Sequence, residues 1–207
     1  MQPVCFRGMK NTTQEQFIIY TDEDLGKQIL CDAHTDGGGW IIIQRQIKGD
    51  ENFTRDWQSY KDGFGTLEND GDFWLGNEAV HTLTNLGPHE LRVEIRSGGK
   101  DYVALYKNFK LESESNNYRI RLGAVSSDID DGTNGLSYAN GMFFTTFDRD
   151  NDEVSWANCA IWNESGWWFK DCHRARLNAP LKDGKVFWFN GTEWMAVTRT
   201  EMKIRLM

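Results

Sequence analysis

Residues 148–173 read DRDNDEVSWANCAIWNESGWWFKDCH. Asp148, Asp150 and Asp152 alternate, Cys159 and Cys172 stand thirteen positions apart, and the stretch ends on Trp167-Trp168 and His173. This is more carboxylate and sulfur chemistry than a plain core segment carries, and it reads as a calcium loop feeding a disulfide-locked ligand pocket. Calcium is a hard cation that takes roughly six to eight oxygens, so alternating carboxylates on one turning loop, supplemented by backbone carbonyls, suit it. An EF-hand would place Gly at its sixth position and Glu at its twelfth; here those are Glu153 and Cys159, so this is a different kind of loop.

Outward from this stretch, the 207 residues include nine Trp, twelve Phe and twenty Gly but only three Pro, which suits aromatic clusters joined by many irregular loops. The net charge of −8, from 31 acidic and 23 basic residues, leaves no basic footprint for nucleic acid or for an anionic membrane surface. No segment approaches about 18 consecutive apolar residues, so no membrane-spanning helix is predicted. Met1 opens a polar segment rather than a signal peptide, so any leader of a secreted form is expected to be absent from this chain. Cys5, Cys31, Cys159 and Cys172 are even in number, and four cysteines allow three connectivities, of which local pairing is the simplest. Zinc is the rival reading, but there is no Cys-x-x-Cys and no His at ligand spacing. Asn-x-Ser/Thr acceptors at Asn11, Asn52, Asn163 and Asn190 join the cysteines in favouring an oxidising, secreted, extracellular setting.

Along the chain, Phe17–Tyr20 and Gln28–Cys31 are short apolar strands around the turn-rich residues 21–26. Gly37-Gly38-Gly39 precedes a strand from Trp40 to Ile47; with no Lys-Ser/Thr after it and no helix, it reads as a turn rather than a phosphate loop. Phe53, Trp57 and Tyr60 predict a short helix over 52–60. A second helix is predicted with Asn77 as N-cap, Glu78 in the first turn and Gly87-Pro88 as its stop. His81 and His89, without acidic or Cys partners at ligand spacing, read as surface or packing residues. Leu91, Val93 and Ile95, and later Tyr118, Ile120 and Leu122, alternate with charged residues as half-buried antiparallel strands do, with residues 102–111 a third strand. The fold class predicted is α+β. Residues 127–194 give few element signals, and a stretch that long is usually functional or cross-linked. Met195 to Met207 is predicted as one closing strand returning to the sheet.

These segments carry a family likeness. The runs 35–40 (TDGGGW), 60–65 (YKDGFG), 73–78 (FWLGNE), 91–93 (LRV), 147–152 (FDRDND), 158–160 (NCA), 166–168 (GWW) and 201–204 (EMKI) resemble, in order, the fibrinogen-like C-terminal domain over almost the whole chain. The resemblance implies a central twisted antiparallel sheet, short helices and an irregular calcium-binding C-terminal lobe. It divides the chain into subdomains at 1–39, at 40–126 plus 195–207, and at 127–194. It also implies disulfides Cys5–Cys31 and Cys159–Cys172. Asp150 and Asp152 would ligate calcium through side chains, and the carbonyls of Val154 and Trp156 would complete the shell, although this chain has one residue more than is usual between Asp152 and Asn158.

In lectin members of the family the peptide before the second cysteine, here Asp171–Cys172, is cis. The amides matching Cys172 and His173 hold an acetyl oxygen there, while aromatic rings receive the methyl. Trp162, Asn163 and Trp188 would shape that pocket, although Trp162 and Trp188 read equally as core aromatics and a glycan on Asn163 would crowd it, and Asp183 matches an acidic residue that pairs with a cationic peptide in fibrinogen. The chain departs from the family after Arg174: the connection 175–184 is short, and Leu181 or Lys182 stands where an aromatic is usual. No catalysis is predicted. His173 as a base would need a free thiolate at Cys172, and no Gly-x-Ser-x-Gly or His-Glu-x-x-His motif offers another route. The reading is an innate-immunity lectin for acetylated carbohydrates or pathogen surface ligands, weak per site and oligomeric through regions outside this chain. The alternative is a protein-interaction module for a receptor or pathogen glycoprotein.

Overall fold

The computed structural model describes Cys5 and residues 16–19, 27–68 and 70–207, the first four-residue strand by its backbone. Asn11, Tyr20 and the turn at 21–26 lie outside the described residues. Strands run as β1 (Gln16–Ile19), β2 (Lys27–Asp32), β3 (Trp40–Gln46), β4 (Phe64–Gly65), β5 (Phe73–Trp74), β6 (His89–Ser97), β7 (Lys100–Leu111), β8 (Ile120–Arg121), β9 (Val125–Ser127), β10 (Ala175–Arg176), β11 (Phe187–Phe189), β12 (Trp194–Ala196) and β13 (Arg199–Leu206). Helices are α1 (Trp57–Asp62), α2 (Asn77–Asn85) and α3 (Cys159–Asn163).

The main sheet has the order β1-β2-β3-β13-β6-β7-β8, with β5 and β4 added beside β3 and β9 beside β7, and the pairings are antiparallel. Alternation on β6 sends Leu91, Val93 and Ile95 into the core, and the last strand, β13, lies at the sheet's centre. The predicted closing strand is in fact two elements. Residues 194–196 pair with β11 in a separate three-stranded sheet, and only 199–206 enter the main one. Three other expectations need correction. The first helix begins at Trp57, because the Asp56 side chain accepts from the Ser59 amide at 2.8 Å and caps it there, while Asn52 turns back onto the Thr54 amide. In the second, the N-cap is Gly76 at φ 109°, and Asn77 is the first helical residue with its carboxamide buried and unpartnered. Tyr118 precedes β8 with φ 45° rather than extending it. His89 is buried against the Gly87 carbonyl and His81 lies against that of Leu111, both packing roles.

Both disulfides implied by the resemblance, Cys5–Cys31 and Cys159–Cys172, are present. An aromatic cluster of Trp57, Tyr60, Trp74, Tyr118, Phe144 and Trp168 joins α1 to the segment before the second disulfide. Long-range side-chain bonds hold the irregular segment 128–194 alongside local ones such as those of Asp131 to Thr133 and Asn134. Gln44 and Gln46 on β3 donate to the Leu177 carbonyl at 3.1 and 2.6 Å, and the Trp188 indole donates to Ile129 at 2.7 Å. The chain just after His173 is thereby fastened to the rigid sheet.

Candidate functional site

The aspartate loop is built by a division of labour. Asp148 is used structurally, accepting from the Trp57 amide at 3.0 Å and from the Thr146 hydroxyl at 2.7 Å, which ties the loop to the start of α1. Asp152 accepts from the amides of Val154 and Cys159, both at 2.8 Å, and Asp150 accepts from the Asp152 amide at 3.3 Å. Burial lifts the Asp152 carboxyl above its ordinary range; the two amide donors oppose this, and the nearby Asp150 charge adds to it. Neither Asp150 nor Asp152 forms an ion pair among the described residues. Two adjacent carboxylates without a protein cation, one of them partly desolvated, fit a bound cation. The Val154 carbonyl, which takes only a long 3.4 Å bond from Ala157, has room for another partner. Among the described residues no three His, Cys, Asp or Glu side chains converge as a metal cluster, so a cation here would need backbone oxygens as well.

Asn158 caps α3, its Oδ1 accepting from Ala160 at 2.8 Å and Ile161 at 3.2 Å, and Cys159 and Cys172 close the loop that follows. Every peptide bond among the described residues is trans, so the cis Asp171–Cys172 bond of the resemblance is absent. The trans form is the favoured one for a non-proline residue, and the Lys170 amide closes this turn by donating to the Cys172 carbonyl at 2.8 Å. No acceptor among the described residues takes the amide of Cys172 or of His173.

His173 packs edge-on to Trp194, ring centres 5.5 Å apart, and Trp194 in turn meets Phe189 at 5.1 Å and Phe187 at 6.5 Å. Its Nδ1 is sealed without a partner, and burial, helped by the Arg176 charge, brings the imidazole down to about 4. Trp194 keeps half its surface open, at 50% exposure, and the ring that packs on it belongs to His173, which carries one of the two free amides. Arg176 lies over the Phe187 ring at 4.9 Å and donates through Nη1 to Asn163 Oδ1 at 2.7 Å, while its Nε is sealed without a partner. Burial holds its guanidinium below the ordinary arginine value. The Glu164 charge opposes that effect of burial, and with the Asn163 bond and the Phe187 ring it offsets part of the cost of desolvating the guanidinium.

The structure therefore brings Cys172, His173 and, through Arg176, Asn163 to one place. It does not bring Trp162 or Trp188 there. Trp188 is 0% exposed and serves the core, a correction that β-strand alternation explains: on β11 Phe187 and Phe189 share one face and Trp188 takes the other. Trp162 instead packs on Trp156 at 5.0 Å, an exposed aromatic pair on the aspartate-loop side of the disulfide. Asp183 sits at the rim 3.8 Å from Lys185, which also pairs with Glu164 at 2.6 Å. Lys182 turns away to Asp50 and Leu181 packs against the core, so the aromatic wall comes from Trp194 on another strand. Sequence reasoning missed Arg176, Phe187 and Trp194. The alternation within 187–189 was the available signal, and the register Phe189↔Trp194 was not.

Comparison with known proteins agrees with the fold. The family model described as "Fibrinogen beta and gamma chains, C-terminal globular domain" matches residues 4–207. Human tenascin-R is 40% identical over 211 residues, covering 97% of this chain and 15% of its own length. The chain thus spans a small fraction of that relative. The fibrinogen-like globe domain of human ANGPTL2 superposes with a TM-score of 0.82 at 35% identity, covering 94% of this chain and 93% of that one. Lamprey fibrin D-dimer, complexed with the peptide ligand Gly-His-Arg-Pro-amide, matches with a TM-score of 0.77 at 31% identity, covering 86% and 64%. The chain belongs to the family of the fibrinogen C-terminal globular domain, whose members are non-enzymatic recognition modules.

Proposed function

We propose that this domain is a secreted, extracellular, calcium-binding lectin of the innate-immune type that takes acetylated carbohydrate at the His173 cleft. The observation that carries this reading is the pair of unaccepted amides at Cys172 and His173, the second on a residue whose ring packs on the half-exposed Trp194. Two adjacent N–H donors suit one carbonyl oxygen, and an aromatic face suits the methyl next to it, worth about 0.8 kcal/mol when buried. Calcium would be held by Asp150 and Asp152 with the Val154 and Trp156 carbonyls. It would neutralise the paired carboxylates and set the path of the loop into α3. Such a site is weak alone and gains from several domains acting together.

The experiment is binding to a glycan array and to acetylated beads, with calcium and with chelator, for wild type and His173→Ala. Acetyl-competable, calcium-dependent binding that falls at least tenfold in the variant is the expected result. A folded, calcium-loaded domain that binds no sugar overturns the reading.

A second reading, a protein-interaction module for a receptor or pathogen glycoprotein, draws on the lamprey neighbour and its bound peptide. Asp183 would be its anchor for a cationic peptide. Lys185 already lies against Asp183, and the cleft is lined by Arg176, which favours the sugar over a cationic ligand.

A further inference from the structure

While Leu91, Val93 and Ile95 of β6 face the core, Arg92, Glu94 and Arg96 alternate onto the opposite face of the main sheet. There Arg92, Arg96 and Arg199 line a cavity of about 200 Å³, together with Tyr102 and Val103 of β7. The register sets Arg199 of β13 directly opposite Arg96 of β6. Side chains so paired start about 4.5–5.5 Å apart at Cβ, where like charges repel. Arg45 of β3, on the other side of β13, is buried, and burial lowers its guanidinium; Glu201, Asp70 and Asp72 oppose this, and the Arg199 charge adds to it. Arg199 therefore has a cation on each neighbouring strand.

The carboxylates nearby are already engaged. Glu94 holds Arg92 at 2.6 Å and Lys203 at 3.3 Å, and Glu201 holds Lys203 at 2.7 Å with its other oxygen sealed from solvent. The exposed Asp101 reaches Arg96 only at 3.7 Å. Among the described residues the half-buried Arg199 forms no ion pair and no side-chain hydrogen bond, and Arg92 bonds Glu94 through Nε alone. An oxyanion between Arg96 and Arg199 would turn their repulsion into charge-assisted bonds, which guanidinium forks make well with oxygen pairs. Three arginines around one cavity match the three terminal oxygens of a tetrahedral ester, where a carboxylate offers two.

We propose that this cavity binds the oxyanion of a phosphate or sulfate monoester. Arg96 and Arg199 bridge it from adjacent strands, Arg92 takes the third oxygen, and the organic part lies against Tyr102 and Val103. The site belongs to the main sheet, not to the β10–β12 sheet beside His173, and is independent of the lectin reading.

The test is an NMR titration of the ¹⁵N-labelled domain with methyl phosphate, methyl sulfate and acetate, each against chloride at equal ionic strength, following the arginine Nε–H signals. One or both esters should shift Arg96 and Arg199 saturably, and the tighter of the two identifies the source of the oxyanion. Affinity should fall at least tenfold in Arg199→Met and less in Arg199→Lys. Because Arg199→Met removes a repulsion, it should melt no lower than wild type in chloride. A clear loss of stability there would show that Arg199 already has a protein partner, and overturns the proposal. So do the absence of a saturable shift with either ester, ester binding untouched by Arg199→Met, and acetate binding as tightly as the esters.

Discussion

Asn163 has both ends of its carboxamide engaged. Nδ2 donates to the Cys159 carbonyl at 2.7 Å, Oδ1 accepts from Arg176 at 2.7 Å, and the residue is 5% exposed. A glycan on Nδ2 has no room in this fold. Asn52 is exposed, and Asn190 uses its Oδ1 within the β11–β12 turn; neither Nδ2 has a partner among the described residues. Peptide mapping of protein secreted from glycosylating cells should therefore find glycan at Asn52 and Asn190 and none at Asn163; a glycosylated Asn163 in folded material contradicts the structure. Replacing Asn163 by Ala strands a buried carbonyl and a guanidinium, and urea unfolding should show a loss of about 2–3 kcal/mol. The sequon was legible and its burial was not, because a three-residue motif carries no record of what packs on it. Trp188 teaches the same at the pocket: its composition suited a ligand site, and only its parity on β11 placed it in the core.

Elements with local patterns were the legible part of the fold. The strands at 89–97 and 100–111 and the second helix follow from alternation and helical spacing, and the disulfides followed from the family likeness. The segment 128–194 was opaque because its backbone is held by partners far away in the chain, such as Gln46 at Leu177. Gly166 makes that dependence testable. Its amide donates to the Tyr60 hydroxyl at 2.9 Å, and a Cβ there would lie 2.5 Å from Tyr60 Cε2, in a ring that is fully buried. Neither the ring nor the Trp167-Trp168 backbone can yield without disturbing the aromatic cluster. Gly166→Ala should cost about 1–3 kcal/mol by overpacking, and more if the hydrogen bond breaks. Thermal unfolding checks this, and a variant as stable as wild type would mean that the contact relaxes freely. Because the same segment leads into Cys172, sugar binding should weaken along with stability.

At the scale of the whole molecule, the strand at the centre of the sheet carries a buried ionic network. Lys203 is 1% exposed and meets Asp32 at 2.8 Å, Glu201 at 2.7 Å and Glu94 at 3.3 Å, joining β13 to β2 and β6. Burial lifts the Asp32 carboxyl, but its bond to Lys203 prevails and leaves it well below the usual range; burial pulls Lys203 down, and Glu201, Glu94 and Asp32 together leave it raised. The Asp32 contribution is thus present above the unfolded carboxylate value of about 3.9 and is lost as pH falls through its lower folded value. The Lys203 contribution is present below about 10.4 and is lost as pH rises through its higher folded value. His173, at about 4 in the fold against about 6.5 unfolded, supplies stability that is full above 6.5 and lost as pH falls to 4, about 3 kcal/mol in all. Below about pH 6.5 stability should decline first through His173 and the buried His89, whose imidazole burial also lowers, and then, below about 4, through the network. Lys203→Met leaves two buried carboxylates, Asp32 and Glu201, and the half-buried Glu94 without their shared cation, so at pH 7 it should remove about 3–5 kcal/mol, a fall in Tm of roughly 6 to 20 °C for a domain of this size. Protonating those carboxylates relieves their repulsion, so the gap between variant and wild type should narrow below about pH 4. Denaturant unfolding of both proteins across pH 3–9 measures all of this in one series. A gap that stays constant with pH would show that Lys203 contributes by packing its alkyl stem and not by its charge.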